Sequence, residues 1–485
     1  ASSAVTYDAN GNVASRADYN GNTTCYAYDL TRNLETARVE GIASGSACPA
    51  DVANYTPVAG TAQRKTLTQW HPTFRLPVKI TEAGRETTTD YDTRGNVTSH
   101  SIKDTATGQT RTWTTTYVYH PSVPGVLSQK IEDGPRTDVA DLTTTDYYAP
   151  DASCVGGHFG CRGQIRKITN ALGHVTQFTQ YNAHGQVLEM VDANAAATLF
   201  TYDPRQRLTS RSLDGKTTTY NYTPWGGLAQ VSYPDATSIG YGYDPAHRLT
   251  RIADSAGRRV DYALDNAGNR TKETFVNADA TPAREVNRVF DALGRLKDEI
   301  EGAATLPPRT YGYFANGEAK FTTTPKGDTI SDAIDALGRP VQQIDPVNGS
   351  AQPTLMQYDS LDQLVAFTAP NGAATAFTYD GLGNLKQETS ADRGVLNATY
   401  DEAGNRITLQ DARGLTTGYQ YDALDRLTRI DAPVGGGLAA STTLLTWDSA
   451  PGCSHGIGRL CQVSHAGAVT TYDYDSRGNR IKTTR

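Results

Sequence analysis

The sequence predicts an all-β protein built from one repeated β-hairpin. A Tyr-Asp-x-x-Gly motif recurs along the 485 residues, most often 21 residues apart, with its clearest copies at Tyr7, Tyr91, Tyr379, Tyr400 and Tyr474. Short Thr- and Tyr-rich segments lie between the turn signals, and no segment has a 3.6-residue apolar period between helix caps. A fixed period of this length indicates an array of about 20 supersecondary units, none of which is stable alone.

The Asp and the Gly of each motif are predicted to be turn residues. Asp at the first turn position accepts hydrogen bonds from backbone N–H groups, and Gly supplies the left-handed conformation that ends a type I turn with a bulge. The clearest copies give the pairs Asp8 and Gly11, Asp92 and Gly95, Asp380 and Gly383, Asp401 and Gly404, and Asp475 and Gly478. Because the carboxylates fill the same slot in successive copies, we interpret them as structural and not as paired catalytic acids.

Each unit is predicted to contribute two antiparallel strands. The first strand, as in residues 373–379 and 415–421, places aromatic residues two apart and therefore on one face. The second strand is less regular, since Leu427 and Ile430 are three residues apart, which favours a bulge. Successive hairpins should pair edge to edge into one continuous antiparallel ribbon.

The composition favours a hollow arrangement of this ribbon. Only 38% of the residues are hydrophobic, with 10 Phe, 4 Trp and 2 Met against 27 Tyr. This is thin for a filled sandwich core. About 40 strands at about 4.8 Å spacing give a ribbon about 190 Å long, or about 60 Å across if closed in one turn. Side chains cannot fill that width. We therefore expect a hollow spiral shell or barrel.

The whole chain, 1–485, is expected to be one repeat region without a separate catalytic domain. Irregular insertions are expected near 41–68 and 120–160. The repeat starts within the first ten residues and is still running at the last turn, which suggests an excised piece or mature fragment. A net charge of −7 without a basic cluster argues against nucleic acid as a partner. No stretch approaches 18 apolar residues, so no membrane span is expected.

The cysteines predict disulfides in the insertions. The six residues fall into three local pairs: Cys25 with Cys48, Cys154 with Cys161, and Cys453 with Cys461. An even number and local pairing indicate an oxidising compartment, so a secreted or cell-surface location. A metal-binding alternative stays open, because His158 and His455 each lie between two cysteines. Each such cluster offers three ligands, however, whereas a structural zinc site uses four. We expect neither metal nor cofactor.

Tyr-Asp-x-x-Gly-Asn at a 21-residue period resembles the YD repeat of Rhs proteins, which is shared with the C components of insecticidal Tc toxins and with teneurins. The tract from Gly458 to Leu460, shortly before the last motif, is also similar to bacterial Rhs and wall-associated chains. The resemblance implies a hollow shell that encloses a C-terminal toxin in bacterial members or supports adhesion in teneurins. The Asp-Pro pairs at Asp203, Asp244 and Asp345 are not followed by Gly-Leu, so the family's self-cleavage motif has no counterpart here.

The expected function is therefore structural and not enzymatic. The chain should form part of a shell that encapsulates or presents a toxin or effector polypeptide, with that polypeptide or further YD repeats as partners. The alternative is an adhesion or carbohydrate-binding module, for which the candidate sugar-stacking residues are Trp70, Trp113, Trp225 and Trp447. The same aromatics also suit cross-strand ladders. A hydrolase is disfavoured because no Gly-x-Ser-x-Gly elbow sits between a strand and a helix. Calcium is disfavoured because the spacing lacks an oxygen-rich loop of calcium-binding type, with ligands at alternate positions.

Overall fold

The computed structural model describes residues 3–302, 305–435 and 439–485, which form forty β-strands and no helix. Accordingly, these residues contain no helix that could cross a membrane. The first twenty strands are β1 (Ala4–Tyr7), β2 (Val13–Ala17), β3 (Thr23–Asp29), β4 (Leu34–Ile42), β5 (Arg64–Trp70), β6 (Pro77–Glu82), β7 (Arg85–Tyr91), β8 (Val97–Asp104), β9 (Thr110–Tyr119), β10 (Leu127–Asp133), β11 (Thr143–Tyr147), β12 (Ile165–Thr169), β13 (Val175–Tyr181), β14 (Val187–Val191), β15 (Ala197–Tyr202), β16 (Leu208–Leu213), β17 (Lys216–Tyr222), β18 (Leu228–Ser232), β19 (Ser238–Tyr243) and β20 (Leu249–Asp254). The second twenty are β21 (Arg259–Leu264), β22 (Arg270–Val276), β23 (Pro282–Phe290), β24 (Leu296–Glu301), β25 (Arg309–Tyr313), β26 (Ala319–Thr323), β27 (Thr329–Ile334), β28 (Pro340–Ile344), β29 (Thr354–Tyr358), β30 (Leu364–Thr368), β31 (Ala374–Tyr379), β32 (Leu385–Ser390), β33 (Gly394–Tyr400), β34 (Arg406–Gln410), β35 (Thr416–Tyr421), β36 (Leu427–Ala432), β37 (Ser441–Trp447), β38 (Leu460–His465), β39 (Ala468–Tyr474) and β40 (Arg480–Thr484).

All forty strands belong to one antiparallel sheet, in which each strand pairs with the next one along the chain. The predicted all-β hairpin ribbon is therefore confirmed. Its two end strands, β1 and β40, do not pair with each other in the described part of the chain, so the sheet is not closed. The ribbon has two edges. We call the edge with the turns that follow each odd-numbered strand the YD edge, and the edge with the turns that follow each even-numbered strand the return edge.

A β-bulge recurs in the hairpins, as the sequence predicts. In β35 and β36, Tyr421 pairs with Leu427 whereas Gln420 pairs with Arg429, so Thr428 is the extra residue. A register shift stands at the same place in the other hairpins, next to the residue in the motif's tyrosine position. Bulges increase the local twist and bend of a strand. Their repetition at every hairpin provides a local cause for curvature of the ribbon.

The turn geometry follows from the Asp and Gly of the motif. In the last turn, one carboxylate oxygen of Asp475 accepts the backbone N–H groups of Arg477 and Asn479 at 3.0 and 2.9 Å. The other oxygen accepts the Asn479 side-chain amide at 3.0 Å. The turn glycines of the five clearest copies, Gly11, Gly95, Gly383, Gly404 and Gly478, have φ of 82°, 84°, 89°, 90° and 86°. These φ values lie in the left-handed region, which glycine adopts without steric cost.

The tyrosine of the motif connects one hairpin to the previous one. The Tyr400 hydroxyl donates to the Leu385 carbonyl at 2.8 Å, and Leu385 is the residue at which the previous hairpin shifts register. A bulge disrupts the ladder locally, and buried backbone groups need partners. The same bond is made by further motif tyrosines: Tyr91 to Pro77, Tyr181 to Ile165, Tyr222 to Leu208, Tyr243 to Leu228, Tyr313 to Leu296, Tyr421 to Arg406 and Tyr474 to Leu460.

Arginines after the turn add a second connection along the YD edge. Arg339 donates to the Asp335 carboxylate of its own turn at 2.8 Å and to the Asp359 carbonyl of the next turn at 2.7 Å. Its guanidinium also lies over the Tyr358 ring, 5.0 Å from the centroid. A cation over an aromatic ring is stabilised by about 0.5–1 kcal/mol at an exposed site. Neighbouring hairpins are thus joined by side chains as well as by the ladder.

Buried apolar residues are few and collect around two disulfides. One cluster joins Cys25 to Ala37, Val39, Ile42 and Val52. The other joins Cys154 and Cys161 to Tyr181, and burial raises the pKa of the Tyr181 hydroxyl to about 12. No single core runs along the described ribbon, in agreement with the low hydrophobic content.

The insertions differ from expectation in one respect. The expected insertion near 41–68 is a strand-free loop over 43–63, between β4 and β5. The region 120–160, however, is not one irregular stretch, because β10 and β11 continue the ribbon through it. The periodic sequence signal does not reveal β10 and β11, because the turn after β11 carries the Cys154–Cys161 loop in place of an Asp-x-x-Gly turn.

Candidate functional site: the seam between two windings

The ribbon winds onto itself and makes contact between residues 262 to 298 positions apart. In these contacts a return-edge residue of an early hairpin meets a YD-edge residue of a late hairpin, as when the β2–β3 turn meets the β25–β26 turn. We call this line of contact the seam. On the early side it consists of Asn20, Arg64, Asp104, Arg111, Arg136, His174, Asn194 and Asp214. On the late side it consists of Asn316, Asp362, Gly381, Asn384, Asp401, Glu402, Asp422, Asp425, Asp448, Ile457 and Ser476.

Arg136 is the most buried cation of the seam, with a side chain only 3% exposed. Its guanidinium donates across the seam to the Asp422 carbonyl and lies 3.8 Å from the Asp401 carboxylate. Two further bonds, of 3.0 and 2.7 Å, hold it to Asp138 in its own loop. The Asp138 carboxylate, followed by Asp401 and Asp425, raises the pKa of Arg136. A buried charge needs partners of this kind, since removing them leaves an uncompensated ion.

Asp104 joins the two windings through backbone groups. It is 1% exposed and accepts the Ala106 backbone N–H and the Thr107 hydroxyl at 2.8 Å. Across the seam, the backbone N–H of Gly381 also interacts with this carboxylate. Burial works to raise the pKa of Asp104, but the hydrogen bonds outweigh burial, and the pKa lies below its usual 3.8. The Asp104 carboxylate is therefore charged at neutral pH, and both of its oxygens accept hydrogen bonds.

Asn194 makes a two-point contact across the seam. Its side-chain amide donates to the Ile457 carbonyl and accepts the Ile457 backbone N–H, both at 2.9 Å. Ile457 lies in the loop between β37 and β38, which the Cys453–Cys461 disulfide closes. Asp448 braces the same loop, because it accepts the Gly458 N–H at 2.7 Å and both terminal nitrogens of Arg426. The loop that the Cys453–Cys461 disulfide closes thus presents backbone groups to the first winding.

The direct contacts that define the seam are polar along the described part of the chain. Both buried apolar clusters lie within the first winding and do not cross the seam. The two windings are instead held by hydrogen bonds and ion pairs between turns. Such contacts contribute about 0.5–1.5 kcal/mol each, with about 1.5–3 kcal/mol where one partner is charged. The windings can therefore separate without breaking any pairing of the sheet.

The six cysteines form three disulfides, Cys25–Cys48, Cys154–Cys161 and Cys453–Cys461. His158 and His455, the additional residues of the metal-binding alternative, bond to backbone groups: His158 accepts the Gly160 N–H, and the His455 ring contacts the Tyr474 carbonyl. No group of three or more metal-ligating side chains converges in the described ranges. These loops are therefore closed by disulfide bonds.

The four tryptophans lie apart from one another and in different roles. Trp70 and Trp447 occupy the motif's tyrosine position, and their indole N–H groups donate to the Glu35 and Leu427 carbonyls at 2.7 and 2.8 Å. Trp113 lies beside His100, with ring centroids 5.8 Å apart. Trp225 is 43% exposed and stacks on His247 at 4.1 Å. Trp225 alone combines an exposed ring with an aromatic neighbour stacked in parallel.

The seam was not foreseen from the sequence. Arg136 and Asn194 stand outside the Tyr-Asp motif, and nothing in their local sequence distinguishes them from other surface residues. One signal was available at Gly381, which follows the motif's Asp at a position where the other clear copies have Ala, Thr, Glu or Ser. A side chain there would collide with the first winding, since a Cβ on Gly381 would lie 2.1 Å from the Gly84 carbonyl oxygen.

Comparison with known proteins agrees with this architecture. Five segments match the RHS Repeat family model, at residues 162–197, 181–213, 243–279, 358–395 and 400–436. The fold matches the crystal structure of TcdB2-TccC3-TEV with a TM-score of 0.69 and 15% identity, over 99% of this chain and 30% of that chain. The ribbon of Tyr-Asp hairpins thus defines a shell-type YD-repeat protein. The chain therefore contains RHS repeats in these five segments, as Rhs/YD-repeat proteins do.

Curated relatives are all much longer than this chain. Double-stranded DNA deaminase toxin A of Burkholderia cenocepacia is 30% identical over 149 residues, which is 30% of this chain and 10% of the relative. The tRNA3(Ser)-specific nuclease WapA of Bacillus spizizenii is 24% identical over 270 residues, or 52% of this chain and 11% of the relative. The tRNA nuclease WapA of Bacillus subtilis is 25% identical over a segment of the same length. The matched part therefore spans about a tenth of these relatives.

Proposed function

We propose that this shell segment encloses a polypeptide within a longer Rhs-type protein. The observation that carries the proposal is the seam, because a ribbon that meets its own opposite edge must surround a space. About 24 strands per winding at about 4.8 Å give a wall about 115 Å around and about 37 Å across. That is narrower than a single closed turn of all forty strands, yet too wide for wall side chains to fill. An extended polypeptide fits inside.

The chain's own part in this function is structural. The repeated carboxylates accept hydrogen bonds within their own turns, as at Asp475. The buried Arg136 guanidinium donates across the seam. The names of the relatives describe a deaminase toxin and tRNA nucleases, but the matched segment is a small fraction of each. We therefore assign any such activity of the parent protein to another part, which the shell would hold. The three disulfides support a secreted or cell-surface location.

The test combines shape with protection. Small-angle scattering and cryo-electron microscopy of the purified chain should show a low-density centre of roughly 20–30 Å. A flexible tail with one protease site, fused after Arg485, should be cleaved roughly tenfold more slowly than the same tail on an opened variant, because cleavage then depends on access. Arg136→Ala provides the opened variant. A filled centre, or equal cleavage in both proteins, would sink the enclosure proposal.

A glycan-binding function is a second candidate, and it is favoured only by Trp225. This ring is 43% exposed, and the turn that carries it lies on the YD edge of the first winding, away from the seam. Glycan-array binding that Trp225→Ala removes and Trp113→Ala leaves intact would support it. Absence of binding to bacterial wall and host glycans would reject it.

A further inference from the structure

A large cavity lies where the first insertion loop meets the second winding. It has a volume of about 1000 Å³. On one side it is lined by loop residues 57–63 and by Arg64, Lys65 and Leu67 in β5, which belong to the first winding. On the other side it is lined by Val341, Met356 and Val365 in β28, β29 and β30, which belong to the second. An occupant of this cavity would contact both windings at once.

The charged groups around the cavity already have protein partners. Arg64 binds Glu40 at 2.8 Å and, across the seam, Asp362 at 2.6 Å. Arg339 binds Asp335 at 2.7 Å and also reaches Asp362 at 3.0 Å. Glu82 is also ion-paired, with Arg85. Lys65 and Asp359 bond to backbone groups instead: Lys65 donates to the Ala53 carbonyl, and Asp359 accepts the Leu361 and Gln363 N–H groups.

These pairings define the chemistry of a ligand. An ionic ligand of Arg64, Arg339 or Glu82 would have to displace an existing ion pair, and one of Lys65 or Asp359 an existing hydrogen bond, whereas an uncharged ligand would displace neither. The apolar surface comes from Val58, Leu67, Val341, Met356 and Val365. Ligand pockets of about 300–1000 Å³ with apolar walls and a few fixed polar groups are typical of small-molecule sites. The cavity has this size and composition.

We propose that the cavity binds an uncharged, predominantly apolar small molecule, and that the bound molecule clamps the two windings together. The clamp follows from linkage, since a ligand that contacts both windings binds the closed seam and loses its contacts to one winding when the seam opens. The ion pair between Arg64 and Asp362 lies at the cavity rim and joins the same two windings. This inference is independent of whether the shell encloses a polypeptide.

The probe for the test is N-phenyl-1-naphthylamine, an uncharged apolar fluorophore, titrated into the full chain. We expect saturable binding with one site per chain and a blue-shifted emission. Hydrogen exchange should slow on both sides of the seam, in loop residues 57–63 and in β28–β30, when the probe is bound. Binding without saturation, or slowed exchange in only one winding, would overturn the proposal.

Variants locate the site. Met356→Trp fills the cavity and should weaken probe binding by roughly tenfold or more, because the added ring takes the space of the ligand. Leu355→Trp is the matched control, since Leu355 is the adjacent residue on the opposite face of β29 and is 41% exposed. The Leu355→Trp variant should bind the probe with the same affinity as the native chain. Val341→Phe is a milder filling variant for use if Met356→Trp unfolds. Native affinity in a folded filling variant would refute the assignment.

Discussion

Replacement of Gly381 by Ala tests whether the seam holds the two windings together. Gly381 does not have a positive φ, so Ala is tolerated by the local backbone. By itself, Gly→Ala at such a site stabilises a protein by about 0.4–1 kcal/mol, through lower entropy of the unfolded chain. Across the seam the effect is opposite, because the new Cβ would lie 2.1 Å from the Gly84 carbonyl oxygen and 2.9 Å from the Asp104 Cα.

The clash involves backbone atoms, which cannot rotate away as a side chain can. Overpacking of this kind costs about 1–3 kcal/mol, so the net loss should be about 1–2 kcal/mol. The winding can also relieve the clash by separating at the seam, which would remove the interaction of the Gly381 N–H with Asp104. We expect a lower urea midpoint, faster hydrogen exchange in the turns at 104–110 and 380–384, and an unchanged β-sheet circular dichroism spectrum.

Gly418→Ala is the matched control. Gly418 also lacks a positive φ, and its nearest neighbour, the Asp431 Cβ, would be 3.9 Å from the new Cβ. This variant should be neutral or slightly stabilised by the entropic effect alone. Equal losses of stability in both variants would contradict the role of the seam. So would hydrogen exchange in residues 104–110 that is as slow in the Gly381→Ala variant as in the native chain.

Three further predictions test the turns and the seam. Arg136→Ala should cost about 2 kcal/mol in urea unfolding by removing charged hydrogen bonds, whereas Arg413→Ala, at an exposed ion pair, should change stability by less than about 0.5 kcal/mol. Tyr400→Phe should cost about 1 kcal/mol by leaving the Leu385 carbonyl without its donor; no loss would contradict the hairpin-to-hairpin role. Hydrogen bonding, chiefly from Asn479, lowers the pKa of Asp475 from 3.8 to about 2. The charged Asp475 therefore stabilises the fold above pH 4 and loses this effect between about pH 4 and pH 2, which NMR titration and acid unfolding can follow.

Much of the fold could be predicted because its causes are local in sequence. The bulge at Leu427–Arg429 follows from an apolar spacing of three, and the turn at Asp475–Asn479 follows from residues within one turn. The two strands hidden in 120–160 show the limit of this approach. There the turn after β11 is replaced by a disulfide loop, so the periodic signal disappears although the ladder continues.

The candidate site was less predictable. The sequence predicts Trp70 and Trp447 as candidate sugar-stacking residues, but an aromatic side chain in the motif's tyrosine position bonds to the backbone of the previous hairpin. The position of the bulge in the previous hairpin decides which carbonyl the aromatic side chain reaches, and hence which of its atoms remain free. Trp225 lies in a turn, where no such partner is within reach, and it stays exposed.

The sequence by itself determined the hairpin, its turns and the number of repeats, because each is specified by neighbouring residues through hydrogen bonds that span four positions. The tertiary structure alone decided where the ribbon meets itself. That position depends on the sum of small bends over many hairpins, and it brings together residues such as Arg136 and Asp422 that are 286 positions apart. No local pattern encodes such a sum, so the seam and the cavity beside it are properties of the winding.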